Sequence, residues 1–113
     1  HATWQRLERR YMPGRDWGDL SYPAKGGRWQ AQMHVYRSPF YYIDYTLALT
    51  CAMQLWLRSR EDAPGTMAIY KELCAAGGSK PFTALLKDAG LVSPFQDGVL
   101  AEVMLEAEHV LFG

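Results

Sequence analysis

The sequence predicts an all-α fold, and three observations carry that prediction. Apolar residues recur at spacings of three and four through most of the chain. No stretch alternates apolar and polar residues long enough to make a convincing strand. Helix start and stop signals bracket the periodic segments. About six helices are expected around a central apolar helix over residues 40–60, in one helical domain covering residues 1–113.

Trp4, Leu7 and Tyr11 are spaced by three and four, with Gln5, Arg6, Glu8, Arg9 and Arg10 between them. Residues 2–12 therefore read as an amphipathic helix that Pro13-Gly14 ends. Residues 13–27 hold four glycines and two prolines and read as a long irregular segment, the kind of loop that often carries function. A second helix is expected from near Arg28 through Trp29, Met33 and Tyr36 to Ser38-Pro39. Ser38-Pro39-Phe40 then reads as a new helix start: the serine accepts an orphan amide, and proline at the first helical position has no N–H to leave unpaired. The same grammar recurs at Ser93-Pro94-Phe95, where Gln96 completes a capping box, and with one insertion at Ser79-Lys80-Pro81-Phe82. These are three helix starts rather than a repeat, because the lengths between them differ.

The helix from Phe40 to about Arg60 is apolar on nearly all faces, which predicts a central element with the others packed around it. Asp62-Ala63-Pro64 opens a helix to Ala76, closed by Gly77-Gly78. Residues 80–89 form a short helix closed by Gly90. The last helix, from Pro94 to about Phe112, places Val99, Leu100, Val103, Met104, Ala107, Val110 and Leu111 on one face.

The chain has 113 residues, with 12 Lys+Arg against 12 Asp+Glu, so its charge argues against a nucleic-acid partner. At 49% hydrophobic and 21% charged it has the composition of a folded globular chain. Cys51 and Cys74 are far apart within apolar helical patterns, which gives neither a disulfide framework nor a metal knuckle and suggests a reducing, cytoplasmic location. No secretory signal is visible, and the most apolar run, Tyr45 to Leu57, falls short of the ~20 residues needed to span a bilayer, so no membrane partner is expected. His1 in place of a methionine suggests a processed start or a piece of a longer protein.

Six of the seven tyrosines fall between Tyr11 and Tyr45, and function is sought there. The run from His34 to Tyr45 holds one imidazole, four phenols and the carboxylate of Asp44. With a helix starting at Pro39, Tyr41 and Tyr45 share a face at i,i+4, and Tyr42 and Tyr45 are neighbours at i,i+3. Phenols keep their proton at pH 7 and can donate to a developing oxyanion, with a histidine just ahead of the helix as a further donor. On composition alone the other reading is favoured, in which these are core aromatics whose hydroxyls find a carbonyl. Asp44 in an apolar helix should meet an arginine (Arg28 or Arg37), a tyrosine hydroxyl or solvent. No HExxH, HxH or paired CxxC is present, and Glu108-His109 reads as a solvated pair. There is no GxSxG elbow, and Gly77-Gly78-Ser79-Lys80 lacks the preceding glycine and strand of a phosphate-binding loop.

Several runs together resemble the C-terminal part of the M3-family zinc oligoendopeptidases, the oligoendopeptidase F group. They are Tyr11-Met12-Pro13-Gly14-Arg15-Asp16-Trp17-Gly18-Asp19, then Gly26-Gly27-Arg28-Trp29-Gln30, His34-Val35-Tyr36 and Pro39-Phe40-Tyr41-Tyr42-Ile43-Asp44-Tyr45. Downstream, Tyr70, Gly77-Gly78-Ser79, Ala89-Gly90-Leu91 and Ser93-Pro94-Phe95 fit the same pattern. Each motif is weak by itself; their order and spacing over essentially the whole chain are specific.

The resemblance implies a fragment of a larger, almost wholly helical peptidase whose zinc is held by an HExxH motif and a glutamate upstream of this region. Zinc is then a cofactor of the parent enzyme with no ligands in this chain, and the chain alone is expected to be inactive. His34 matches the family histidine ahead of the aromatic run, and Tyr45 is the firmest match to the family phenols that hydrogen-bond substrate and tetrahedral intermediate. The second phenol is Tyr41 or Tyr42, with Tyr41 favoured. Tyr36 is expected to line the cleft, and the loop through Gly26 and Gly27 to close on substrate. The implied partners are a short peptide substrate and the upstream remainder of the same polypeptide. The alternative is a non-catalytic helical module that binds a peptide or protein.

Overall fold

Helical hydrogen bonding satisfies most of the backbone in the computed structural model, which describes residues 1–113 and contains no strand. In chain order there are α1 (Ala2–Tyr11), α2 (Ser21–Ala24), a 3₁₀ turn (Gly27–Ala31), α3 (Met33–Arg37), α4 (Ile43–Glu61), α5 (Ala63–Ala76), α6 (Phe82–Asp88) and α7 (Val99–Phe112). The chain divides into two compact units, His1–Ile43 and Asp44–Gly113. No helix is long and apolar enough to cross a membrane.

In the first unit, the segment expected to be wholly irregular contains the one-turn helix α2 and is tied down by side chains. Asp16 Oδ1 accepts from Gly18 N at 2.8 Å, and the Arg15 and Arg28 guanidiniums lie 5.2 and 5.9 Å from the Trp17 ring. Gln5 Nε2 on α1 donates to the Ala24 carbonyl at 2.7 Å. The expected second helix is broken in two, a 3₁₀ turn and α3, separated at Gln32, whose ψ of 97° is extended and cannot continue a helix.

In the second unit, the expected punctuation holds at α5. Asp62 caps it by accepting from Gly65 N at 2.9 Å, proline stands in its first turn, and Gly77 ends it with φ +51°. Two of the three serine starts are corrected. Ser38-Pro39-Phe40 opens a turn, not a helix, and α4 begins at Ile43. Ser93 also opens a turn, with Gln96 N donating to the Ser93 carbonyl at 3.0 Å, and α7 starts only after Gly98, whose φ of +86° lies in the left-handed region. At the third site the cap residue of α6 is Pro81, with no side-chain cap from Ser79.

The core of this unit is built from small and medium side chains: Cys51 on α4, Leu86 and Ala89 at the end of α6, and Val99, Val103 and Ala107 on α7. The buried α7 stripe is narrower than its apolar pattern suggests, because Leu100, Met104 and Leu111 on the same broad face stay exposed. Thr50 is buried, with its hydroxyl donating to the Thr46 carbonyl at 2.8 Å. The side-chain amide of Gln54 reads the backbone of Val92 in both directions at 2.9 Å, pinning the loop after α6 to α4.

The expectation that other helices wrap α4 is met only in its middle. Thr50 and Cys51 are buried, whereas Ile43, Tyr45 and Leu49 are 57%, 53% and 57% exposed.

Candidate functional site

The tyrosine-rich run is organised by a turn. Ser38 ends α3, and Tyr41 N donates to the Ser38 carbonyl at 3.2 Å, with Pro39 and Phe40 at the two central positions. Phe40 has φ +68° and its side chain is 96% exposed. A left-handed conformation costs a non-glycine residue roughly 1–2 kcal/mol. A helix running from Pro39 is excluded by that residue, since right-handed helical geometry requires negative φ. Tyr41 and Tyr42 are thus turn residues, and the helical spacings that were expected to align them with Tyr45 do not apply.

The turn instead folds these two phenols back onto α3. The His34 ring stacks on Tyr42 with centroids 4.6 Å apart and on Tyr41 at 5.8 Å, each pair at an interplanar angle of 26°. His34 is half-buried while Tyr41 and Tyr42 are about half exposed, so one edge of the cluster remains open. Tyr45 stands in the first turn of α4, also about half exposed. Asp44 precedes it, exposed, in the first helical turn, where a carboxylate complements the partial positive charge of the free amides. Of the surroundings expected for Asp44, solvent is the one observed.

Tyr36 stacks on Trp29 with centroids 6.0 Å apart at 25° and is 59% exposed, so the 3₁₀ turn and α3 present a second aromatic pair. Sequence reasoning did not single out Trp29 or Phe40 as parts of the site. The Trp29–Tyr36 pair was hidden because its seven-residue spacing suits a continuous helix. The Pro-aromatic turn was hidden because proline at that position suits a helix start equally well.

Gly26 and Gly27, the glycines of the loop expected to close on substrate, are buried. Gly26 has φ +81°, and an added Cβ would fall against the His1 carbonyl and 3.0 Å from Gln5 N. At Gly27 a Cβ would meet the Tyr22 ring. Their small size lets the backbone pack against the start of α1, and the resulting nest includes Trp29, whose indole N–H donates to His1 Nδ1 at 3.1 Å.

Chemically the cluster offers an imidazole and phenols as hydrogen-bond donors and acceptors, together with aromatic faces. No three His, Cys, Asp or Glu side chains are placed to hold a metal ion together. Away from the cluster, the Cys51 thiol is pushed up from its ordinary 9.0 by burial. Tyr70 on α5 is also raised, by its hydrogen bond with the Cys74 thiol one turn on and by that group's charge.

The profile of peptidase family M3 matches residues 1–105. Two solved structures resemble the chain over 96% of its length with a TM-score of 0.87 each. One, PZ peptidase A with inhibitor 2, is 48% identical; the other, provisionally described as an oligoendopeptidase F, is 49% identical. The chain covers 19% of each of those polypeptides, and so spans about a fifth of the length of the structures it matches. No curated protein matches it significantly.

Proposed function

The chain belongs to peptidase family M3, and from that premise we propose that it forms the substrate-binding and oxyanion-stabilising part of a metallopeptidase that hydrolyses short oligopeptides. In this reading it is a C-terminal segment, and the residues that complete the active site lie elsewhere in the polypeptide. The side chains here do not fit a zinc site of their own, since no cluster of three potential ligands exists. Zinc, when bound by the remainder of the polypeptide, supplies Lewis-acid polarisation.

The observation that carries the proposal is the stacking of His34 on Tyr41 and Tyr42 at a half-open edge. Acyl transfer to water passes through a tetrahedral species whose oxygen carries growing negative charge. Donors held in place before the reaction stabilise that charge without reorganising. His34 and Tyr45, with Tyr41 or Tyr42, donate to the oxyanion and the adjoining peptide backbone. The stacking fixes the imidazole plane and limits the rotamers of both turn phenols. Tyr36, braced on Trp29, lines the cleft and offers an aromatic face to a substrate side chain. Gly26 and Gly27 act one step back, by letting the 3₁₀ turn seat against α1. Both cysteines are free, which suits a cytoplasmic enzyme.

The test uses the full-length polypeptide that carries this segment, with a fluorogenic oligopeptide. Loss of one oxyanion donor typically costs ~3 kcal/mol of barrier, or about 10²-fold in kcat. Tyr45→Phe and His34→Ala are each expected to lower kcat on that scale, and Tyr45→Phe to leave the melting temperature nearly unchanged, because Tyr45 is more than half exposed. Near-wild-type turnover in both variants overturns the assignment. The same result would favour the non-catalytic helical module.

A further inference from the structure

Six residues have positive φ, and five of them are glycines; the sixth is Phe40, at +68°. Pro39 ahead of it, and the bond from Tyr41 N to the Ser38 carbonyl at 3.2 Å, make a turn whose third residue must be left-handed. Glycine or asparagine sits there with little strain, and phenylalanine does not. Burial within this chain does not offset the strain, since Phe40 is 96% exposed, more than any other large apolar side chain. Next in the chain come Tyr41 and Tyr42, the phenols that stack on His34. The Phe40 ring is therefore carried one residue, about 3.8 Å of chain, from the first of these donors. Strain that the chain's own packing does not explain, held beside a cluster of hydrogen-bonding groups, points to a contact with a ligand.

We propose that Phe40 is a specificity-determining residue, whose ring forms an apolar wall against a side chain of the bound oligopeptide within two residues of the cleaved bond. The proposal rests on the His34 cluster being the substrate site. An extended peptide advances about 3.3 Å per residue, so a peptide held at the turn phenols brings its adjoining side chains within reach of the preceding residue of the turn. The Phe40 side chain has no group that can hydrogen-bond, and it recognises a ligand through dispersion and the removal of apolar surface from water. It therefore selects leucine, methionine or aromatic side chains over polar ones of similar size. The left-handed backbone leaves the ring surface open to a ligand instead of taken up by the chain's own packing.

The experiment measures selectivity in the full-length polypeptide. Fluorogenic oligopeptides of one length are compared, with leucine exchanged for serine in turn at the two positions on either side of the cleaved bond, and kcat/KM is taken for each. Wild type is expected to prefer leucine by about tenfold or more at one of these positions. Phe40→Asn keeps the left-handed turn and removes the ring. It is expected to bring that preference to within about twofold of unity while the ratios at the other positions stay as they were. Its melting temperature should equal or exceed that of wild type, because strain is relieved and no packing is lost. Phe40→Tyr retains the ring and should retain the preference. Phe40→Gly reads the same ratio should Phe40→Asn fail to fold. No preference in wild type at any of these positions, or an unchanged preference in Phe40→Asn, overturns the proposal. So does a lowered melting temperature with equal losses on every peptide, which would make the ring a packing residue covered by other parts of the polypeptide. Loss of the preference in Phe40→Asn beside normal turnover in Tyr45→Phe and His34→Ala would leave this proposal standing and sink the oxyanion assignment. A retained preference beside a loss of about 10²-fold in those two variants would do the reverse.

Discussion

Gln54 offers the sharpest test of how the second unit is held together. Its side-chain amide donates to the Val92 carbonyl and accepts from the Val92 amide, both at 2.9 Å, across 38 residues of chain. Gln54→Met keeps the length of the side chain and deletes both bonds. A net hydrogen bond contributes about 0.5–1.5 kcal/mol, so the pair sets an upper figure near ~3 kcal/mol. Val92 is 45% exposed, and water replaces part of what is lost. The expected cost is therefore about 1–2 kcal/mol, which for a unit of this size lowers the melting temperature by roughly 7–14 °C. Urea unfolding of wild type and variant measures the total, and hydrogen exchange at the Val92 amide reports the local effect. Because the loop after α6 would lose its anchor on α4, Val92 should exchange faster than the global stability loss alone explains. A variant within about 0.3 kcal/mol of wild type, with Val92 protection intact, would refute the reasoning.

Gly26→Ala is expected to destabilise the first unit by about 2–4 kcal/mol, since it adds left-handed strain to a Cβ that has no room beside His1 and Gln5. Faster solvent exchange of the Trp29 indole proton would mark release of the start of α1. Gly14→Ala is the control, because an added Cβ there meets nothing within 4 Å; equal melting temperatures for the two variants would remove the packing argument. In the native chain, a thiol reagent should titrate Cys74 quickly and Cys51 only after denaturation. Cys51 is raised above 9.0 by burial, so its contribution to stability is full below the unfolded value and is lost as pH rises through the folded one. Stability measured from pH 7 to 10 should therefore fall at the alkaline end, and less steeply in Cys51→Ala; identical slopes would contradict this.

What the sequence determined is the local grammar: an all-α chain, the α1 helix, the Asp62 cap of α5, the Gly77 stop, and an aromatic cluster around His34. These follow from contacts within one or two helical turns, which are encoded in residue spacing. The resemblance to M3 peptidases was likewise legible, since it rests on the order of short motifs. Tertiary structure decided what depends on turns and distant partners. Proline suits both a helix start and a turn, and only the surroundings that hold Phe40 at positive φ choose the turn. That choice brings Tyr41 and Tyr42 onto His34 instead of aligning them along α4. The burial of Gly26 and Gly27 depends on the start of α1, and the anchoring of Val92 depends on Gln54, each pair far apart in sequence. A hydrophobic pattern records that a face is to be covered; which residues cover it is a matter of three-dimensional placement.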